Sequence, residues 1–143
     1  MRAIDRTQER GQALVEFSLS IIIFLVLMMA IVDLGRGIYM FNGVSQAARE
    51  IARVASVHPG TTFGGPEITA VVNTQKNLIP ALGNPTFSCV DIEGGPGLDP
   101  TSGRCPTGNQ VTVSIIAPYR PITPLMSLTG TWNMQSTSSV RIP

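Results

Sequence analysis

Cys89 and Cys105 are the two thiols of this chain, separated by 16 positions in a stretch dense with glycine and proline. Such a pair is compatible with one disulfide in an oxidising compartment, the alternative being two unpaired thiols. Without a second pair they lack the four ligands of a structural zinc site. His58 is the single histidine. It falls where a helical pattern ends, a position where an imidazole can interact with the helix C-terminus. Asp91, Glu93 and Asp99 lie in and beside a turn-rich segment and read as a solvated edge rather than a calcium site. No nucleophile elbow, phosphate loop or dinucleotide fingerprint occurs, so the residue inventory supports no catalytic site, no cofactor and no metal. The remaining reactive group is Glu16, the one charge between Ala13 and Val32. A carboxylate one turn inside an apolar segment costs on the order of a few kcal/mol in lipid unless a cation pairs with it or it reaches the interface.

The element that carries Glu16 is an apolar run long enough to cross a bilayer. Residues 17–32 contain no charge, and about 20 residues at about 1.5 Å rise match a hydrocarbon core of about 30 Å. Ahead of it, Arg2, Arg6 and Arg10 outnumber Asp5 and Glu9. Positive flanks stay cytoplasmic, so the N-terminus is expected inside and the C-terminus outside. The run continues into Asp33 to Arg36 with no small-residue cleavage pattern, unlike a secretory signal.

The helical pattern outlasts the apolar run. No proline occurs from residue 12 to residue 58, and Leu34, Ile38, Phe41, Val44, Ala48, Ile51 and Ala55 recur at spacings of three and four, predicting one buried stripe. Asp33 and Arg36 are placed to pair on the helix surface at the membrane boundary. Gly35, Gly37 and Gly43 imply either a locally weakened helix or close helix approach. Pro59 and Gly60 stop the helix.

Beyond it, four basic residues (Lys76, Arg104, Arg120, Arg141) balance four acidic ones (Glu67, Asp91, Glu93, Asp99). A neutral domain with no basic stripe is a poor nucleic-acid binder. A second helical pattern starts at Glu67, with Ile68, Val71, Val72, Gln75, Leu78, Ile79 and Leu82 on one face, and ends at Gly83 and Pro85. Residues 86–92, 111–117 and 131–142 alternate as strands, separated by turn-rich residues 93–110 and by Pro118, Pro121 and Pro124. The expected fold class is α+β: a long N-terminal helix, transmembrane and then amphipathic, a second shorter helix, and an antiparallel sheet of about three strands whose apolar face buries Trp132 and Met134. The domain plan is a cytoplasmic leader at 1–11, a transmembrane helix at 12–33, its amphipathic continuation at 34–58 and a small extracytoplasmic head at 59–143.

Three sequence blocks carry a family resemblance: Gly11 to Phe17 (GQALVEF), Ile31 to Arg36 (IVDLGR) and Ala47 to Arg53 (AAREIAR). A glycine followed at the fifth position by glutamate, then Phe17 and a long apolar helix, resembles the signature of type IV pilin-like proteins. The three blocks together resemble the TadE family of the tight-adherence (Flp) pilus system. That resemblance implies cleavage by a prepilin peptidase between Gly11 and Gln12 on the cytoplasmic side. It also implies an assembly role for Glu16 and Phe17, with Glu16 paired to a subunit's N-terminal amine inside a helical bundle. The departures are Gln12, where many type IV pilins have Phe, and Phe17, where Flp pilins typically carry Tyr. The implied protein is a non-enzymatic pilin or pseudopilin. It partners the peptidase, the membrane and other pilin subunits, and it moves from the bacterial inner membrane to an extracellular filament that mediates adhesion. The competing reading is an unprocessed single-pass anchor that presents a small binding module outside the cell.

Overall fold

Helix α1 (Arg6–Val57) runs for 52 residues, about 78 Å by rise per residue. In this computed structural model the described residues are 6–58, 63–92, 105, 107–123, 127 and 130–143. The helix begins earlier than the expected residue 12 and passes through Gly11 without interruption, because nothing in residues 6–12 is a helix breaker except Gly11 itself, whose cost of about 1 kcal/mol the flanking turns absorb. The expected stop at Pro59 and Gly60 lies outside the described residues.

The head is built on the second half of α1. Helix α2 (Pro66–Leu78) follows, then strands β1 (Thr86–Val90), β2 (Gln110–Tyr119) and β3 (Trp132–Arg141) in an antiparallel sheet of order β1-β2-β3. The α+β class, the two helices and the three strands are those read from the sequence. The sheet is one-sided. Val111, Val113, Ile115 and Ala117 of β2 point into the core with Val44, Ala47, Ala48, Ile51 and Ala55 of α1 and Ile68 and Val72 of α2. The other face is polar: Thr112 Oγ1 meets Ser139 Oγ at 2.8 Å, and the Gln135 amide donates to Ser114 Oγ at 3.0 Å. This alternation is what an antiparallel sheet with one wet face requires.

Four sequence expectations are corrected. Helix α2 ends at Leu78 rather than near Leu82, because Pro80 drives the preceding Ile79 into an extended conformation (φ −122°, ψ 100°). Ile79 and Leu82 still reach the core, from a turn rather than a helix. Pro118 does not interrupt β2 but lies within it, paired with Asn133. Strand β1 pairs only as far as Ser114, so beyond that point β2 has a neighbour on one side only. Gly83 N–H donates to the Ile116 carbonyl at 2.9 Å, which shows that residues 116 and 118 direct their backbone groups away from β3. The missing N–H of Pro118 thus faces the open edge. The predicted α1 stripe divides: Val44, Ala48, Ile51 and Ala55 are buried, while Leu34, Ile38 and Phe41 are exposed. Finally, Trp132 is 40% exposed rather than buried, and Met134 is half-buried, because the Tyr119–Trp132 pair is the last rung of the ladder, beyond the reach of α2.

The glycines of α1 also differ from one another. A Cβ on Gly43 would come within 3.2 Å of Ile79 Cδ1, so this glycine does permit close approach, whereas a Cβ on Gly35 would meet nothing within 4 Å.

Candidate assembly site

Every residue from Gly11 to Met29 is exposed. Among the described residues this half of α1 is left uncovered, with only Met28 and Met29 approaching Ile122 and Thr123 at its end, and its apolar window, with mean hydropathy 2.7, is that of a candidate membrane span. Gly11, Gln12, Glu16 and Phe17 all lie on it as an uninterrupted helix. Positions 12 and 16 are one helical turn apart and so share a face, with Phe17 beside them. Among the described residues Glu16 has no hydrogen-bond or ion-pair partner, and Ser18 next to it turns its hydroxyl back to the Leu14 carbonyl at 2.7 Å.

At the other end of the apolar run the structure supplies what sequence reading missed. Asp33 is 3% exposed, and its carboxylate receives the backbone N–H groups of Ile122 (3.0 Å to each oxygen) and Thr123 (2.6 Å) and the Thr123 hydroxyl. Tyr119 donates its hydroxyl to the Asp33 backbone carbonyl at 2.7 Å, while Arg36 Nη1 stands 3.4 Å from Asp33 Oδ1. The sequence suggested the Arg36 pair alone. In the structure that contact is longer than those to Ile122 and Thr123, and the main partners come from the segment after β2, nearly 90 residues away. Charge-assisted hydrogen bonds of this kind are about twice as strong as neutral ones. Burial first, and then the neighbouring carboxylate, push the Tyr119 hydroxyl above its usual pKa and keep it a donor. Asp33 thereby clasps the β2–β3 connection to the helix. A polar residue closing an apolar run was visible in the sequence, but nothing local pointed to its partners.

Cys89 and Cys105 are disulfide-bonded, with Cα atoms 5.7 Å apart, and both are buried. Cys105 is thereby tied to β1, while most of the intervening turn-rich segment, including Glu93 and Asp99, lies outside the described residues. His58 Nδ1 is 3.0 Å from the Val54 carbonyl, which places the ring at the end of α1 as expected. Among the described residues no group of three or more His, Cys, Asp or Glu side chains could hold a metal ion.

An exposed apolar half-helix led by glycine and a lone glutamate, continuous with a helix that carries a clasped head, is the geometry to compare with known proteins. Residues 11–53 match the family model described as TadE-like protein. This is the family that the three sequence blocks resemble, and the matched segment includes the exposed half of α1, Asp33 without its partners after β2, and most of the buried stripe. The match covers less than a third of the chain and leaves the head outside it. No curated protein and no solved structure matches the chain.

Proposed function

We propose that this chain is a TadE-like pilin or pseudopilin, a structural or assembly subunit of a tight-adherence pilus. It is inserted in the inner membrane by residues 12–33 with its head outside, cut by a prepilin peptidase after Gly11, and packed with other subunits through α1. The observation that carries the reading is the exposure of the apolar run from Gly11 to Met29 on a continuous helix. Such a surface needs lipid or neighbouring helices to cover it. The family match over residues 11–53 supports the same reading. Cleavage after Gly11 creates an ammonium at Gln12, and Glu16 of a neighbouring subunit offsets the cost of burying that charge, as it offsets the cost of burying Glu16. The pair forms only in register, so it guides assembly. Phe17, 65% exposed next to Glu16, adds apolar contact at the same level. The cysteine pair fits a head folded in an oxidising compartment.

The test has two parts in the native host. Mass spectrometry of the mature protein is expected to find Gln12 at the N-terminus; finding intact Met1 instead identifies an unprocessed anchor. Glu16→Ala is expected to leave membrane insertion intact and to lower the amount of subunit recovered in filaments. Unchanged filament yield and incorporation in that variant refute the pairing role.

A further inference from the structure

The Asp33 clasp fixes the height of the head relative to the apolar run. If the hydrocarbon core ends at Val32, as the bilayer-spanning reading above requires, a headgroup layer of about 5–7 Å covers the next turn or so of helix, roughly residues 33–37. Tyr119 and the two residues bound to Asp33, Ile122 and Thr123, are held at that height by hydrogen bonds. Trp132 is paired with Tyr119 in the sheet and is carried to the same height. Ile122 goes lower still, lining a small groove with Met28, Met29 and Val32 of the last apolar turns. Ile122 is 63% exposed and Trp132 is 40% exposed. Trp132 lines an open apolar groove of about 290 Å³ together with Leu34, Ile38 and Phe41.

We propose that this end of the β2–β3 hairpin is a membrane-interface seat. Ile122 and Trp132 enter the headgroup layer beside α1, so that before assembly the head rests on the bilayer instead of standing clear of it. Three features argue for lipid as the occupant. The patch is continuous with the apolar run, and the clasp leaves it no other height. Its composition is that of an interface, where indole rings concentrate because they present an apolar body and a polar tip. Arg36, 46% exposed and 5.7 Å from the Tyr119 ring centroid, offers a cation to lipid phosphate at the same level. The seat also accounts for the exposure of Leu34, which follows Asp33 at the same height.

Trp132 is the single tryptophan of the chain, so its fluorescence reports this site directly. The full chain is reconstituted in phosphatidylcholine vesicles containing lipids with a quencher either near the headgroup or deep in the acyl chain. Quenching of Trp132 is expected to be at least about twofold stronger from the shallow label than from the deep one, with little quenching by aqueous acrylamide. It is also expected to be independent of the protein-to-lipid ratio. A Phe24→Trp change in a Trp132→Phe background serves as the control for the span and is expected to prefer the deep label. Full acrylamide access and no lipid quenching at Trp132, with Phe24→Trp still quenched deeply, overturns the seat and leaves the span intact. Loss of lipid quenching at both positions overturns the spanning reading itself. Shielding of Trp132 that rises with protein-to-lipid ratio without lipid quenching assigns the groove to a second copy and also overturns the seat.

Discussion

Asp33 and Tyr119 show how a few polar atoms join the end of the β2–β3 pair to the helix where its exposed apolar half ends. The carboxylate accepts from two consecutive backbone amides and a hydroxyl, and each donor would be left unsatisfied without it. Asp33→Ala is therefore expected to release the β2–β3 connection, with the Ile122 and Thr123 amides exchanging with solvent at least about tenfold faster while amides in the middle of β2 keep their protection. Hydrogen exchange followed by mass spectrometry in detergent or nanodiscs reads this directly; unchanged exchange at 122–123 contradicts the clasp. Tyr119→Phe removes the hydroxyl that donates to Asp33 and keeps the ring beneath Arg36, so a smaller loss of about 1 kcal/mol is expected by chemical denaturation of the full chain.

At the scale of elements, the two halves of α1 answer differently to the same substitution. Ile51 is fully buried against the sheet, and Ile51→Ala is expected to destabilise the head by about 2–5 kcal/mol through lost transfer energy and the cavity left behind. Ile22→Ala, on the exposed half, is expected to leave head stability unchanged, measured by the same denaturation. Gly83 tests the turn between α2 and β1. A Cβ there would stand 2.6 Å from the Ile116 carbonyl oxygen, the atom that its own N–H bonds. Gly83→Ala is therefore expected to push the turn off β2 and to cost about 1–3 kcal/mol.

For the whole molecule, the disulfide is the covalent tie between β1 and the segment ahead of β2. Cys89 and Cys105 are 16 residues apart, a loop whose closure contributes about 3 kcal/mol in the chain-entropy model. A Cys89→Ser/Cys105→Ser double variant is expected to lose about that much stability and to become more sensitive to protease between β1 and β2, while membrane insertion, which depends on α1, is unchanged. The long helix gives the molecule its division of labour. One half is an exposed apolar surface, the other half is the floor of the head, and the Asp33 clasp sits at the junction.

The elements and their faces are legible from sequence because that information is local. The apolar run, the lone Glu16, the spacing of three and four along α1 and the alternation in β2 and β3 are all set by which side chains neighbour each other in the chain, and the periods of helix and strand turn that order into faces. Local order does not tell whether a given face finds a partner. Leu34, Ile38 and Phe41 continue the same stripe as Val44 and Ile51, yet they are exposed, because beside Tyr119, Trp132 and Met134 they line an open groove and not a closed core. Pro118 reads as a breaker and is tolerated because β1 stops short of it. Asp33 reads as half of a surface ion pair and is instead buried under a loop nearly 90 residues later in the chain. The sequence alone determined the helix, the strands and the apolar run that carries the proposed function. Only the tertiary structure decided where the head is fastened to that run, because hydrogen bonds between distant segments depend on the packing of the whole sheet on the helix.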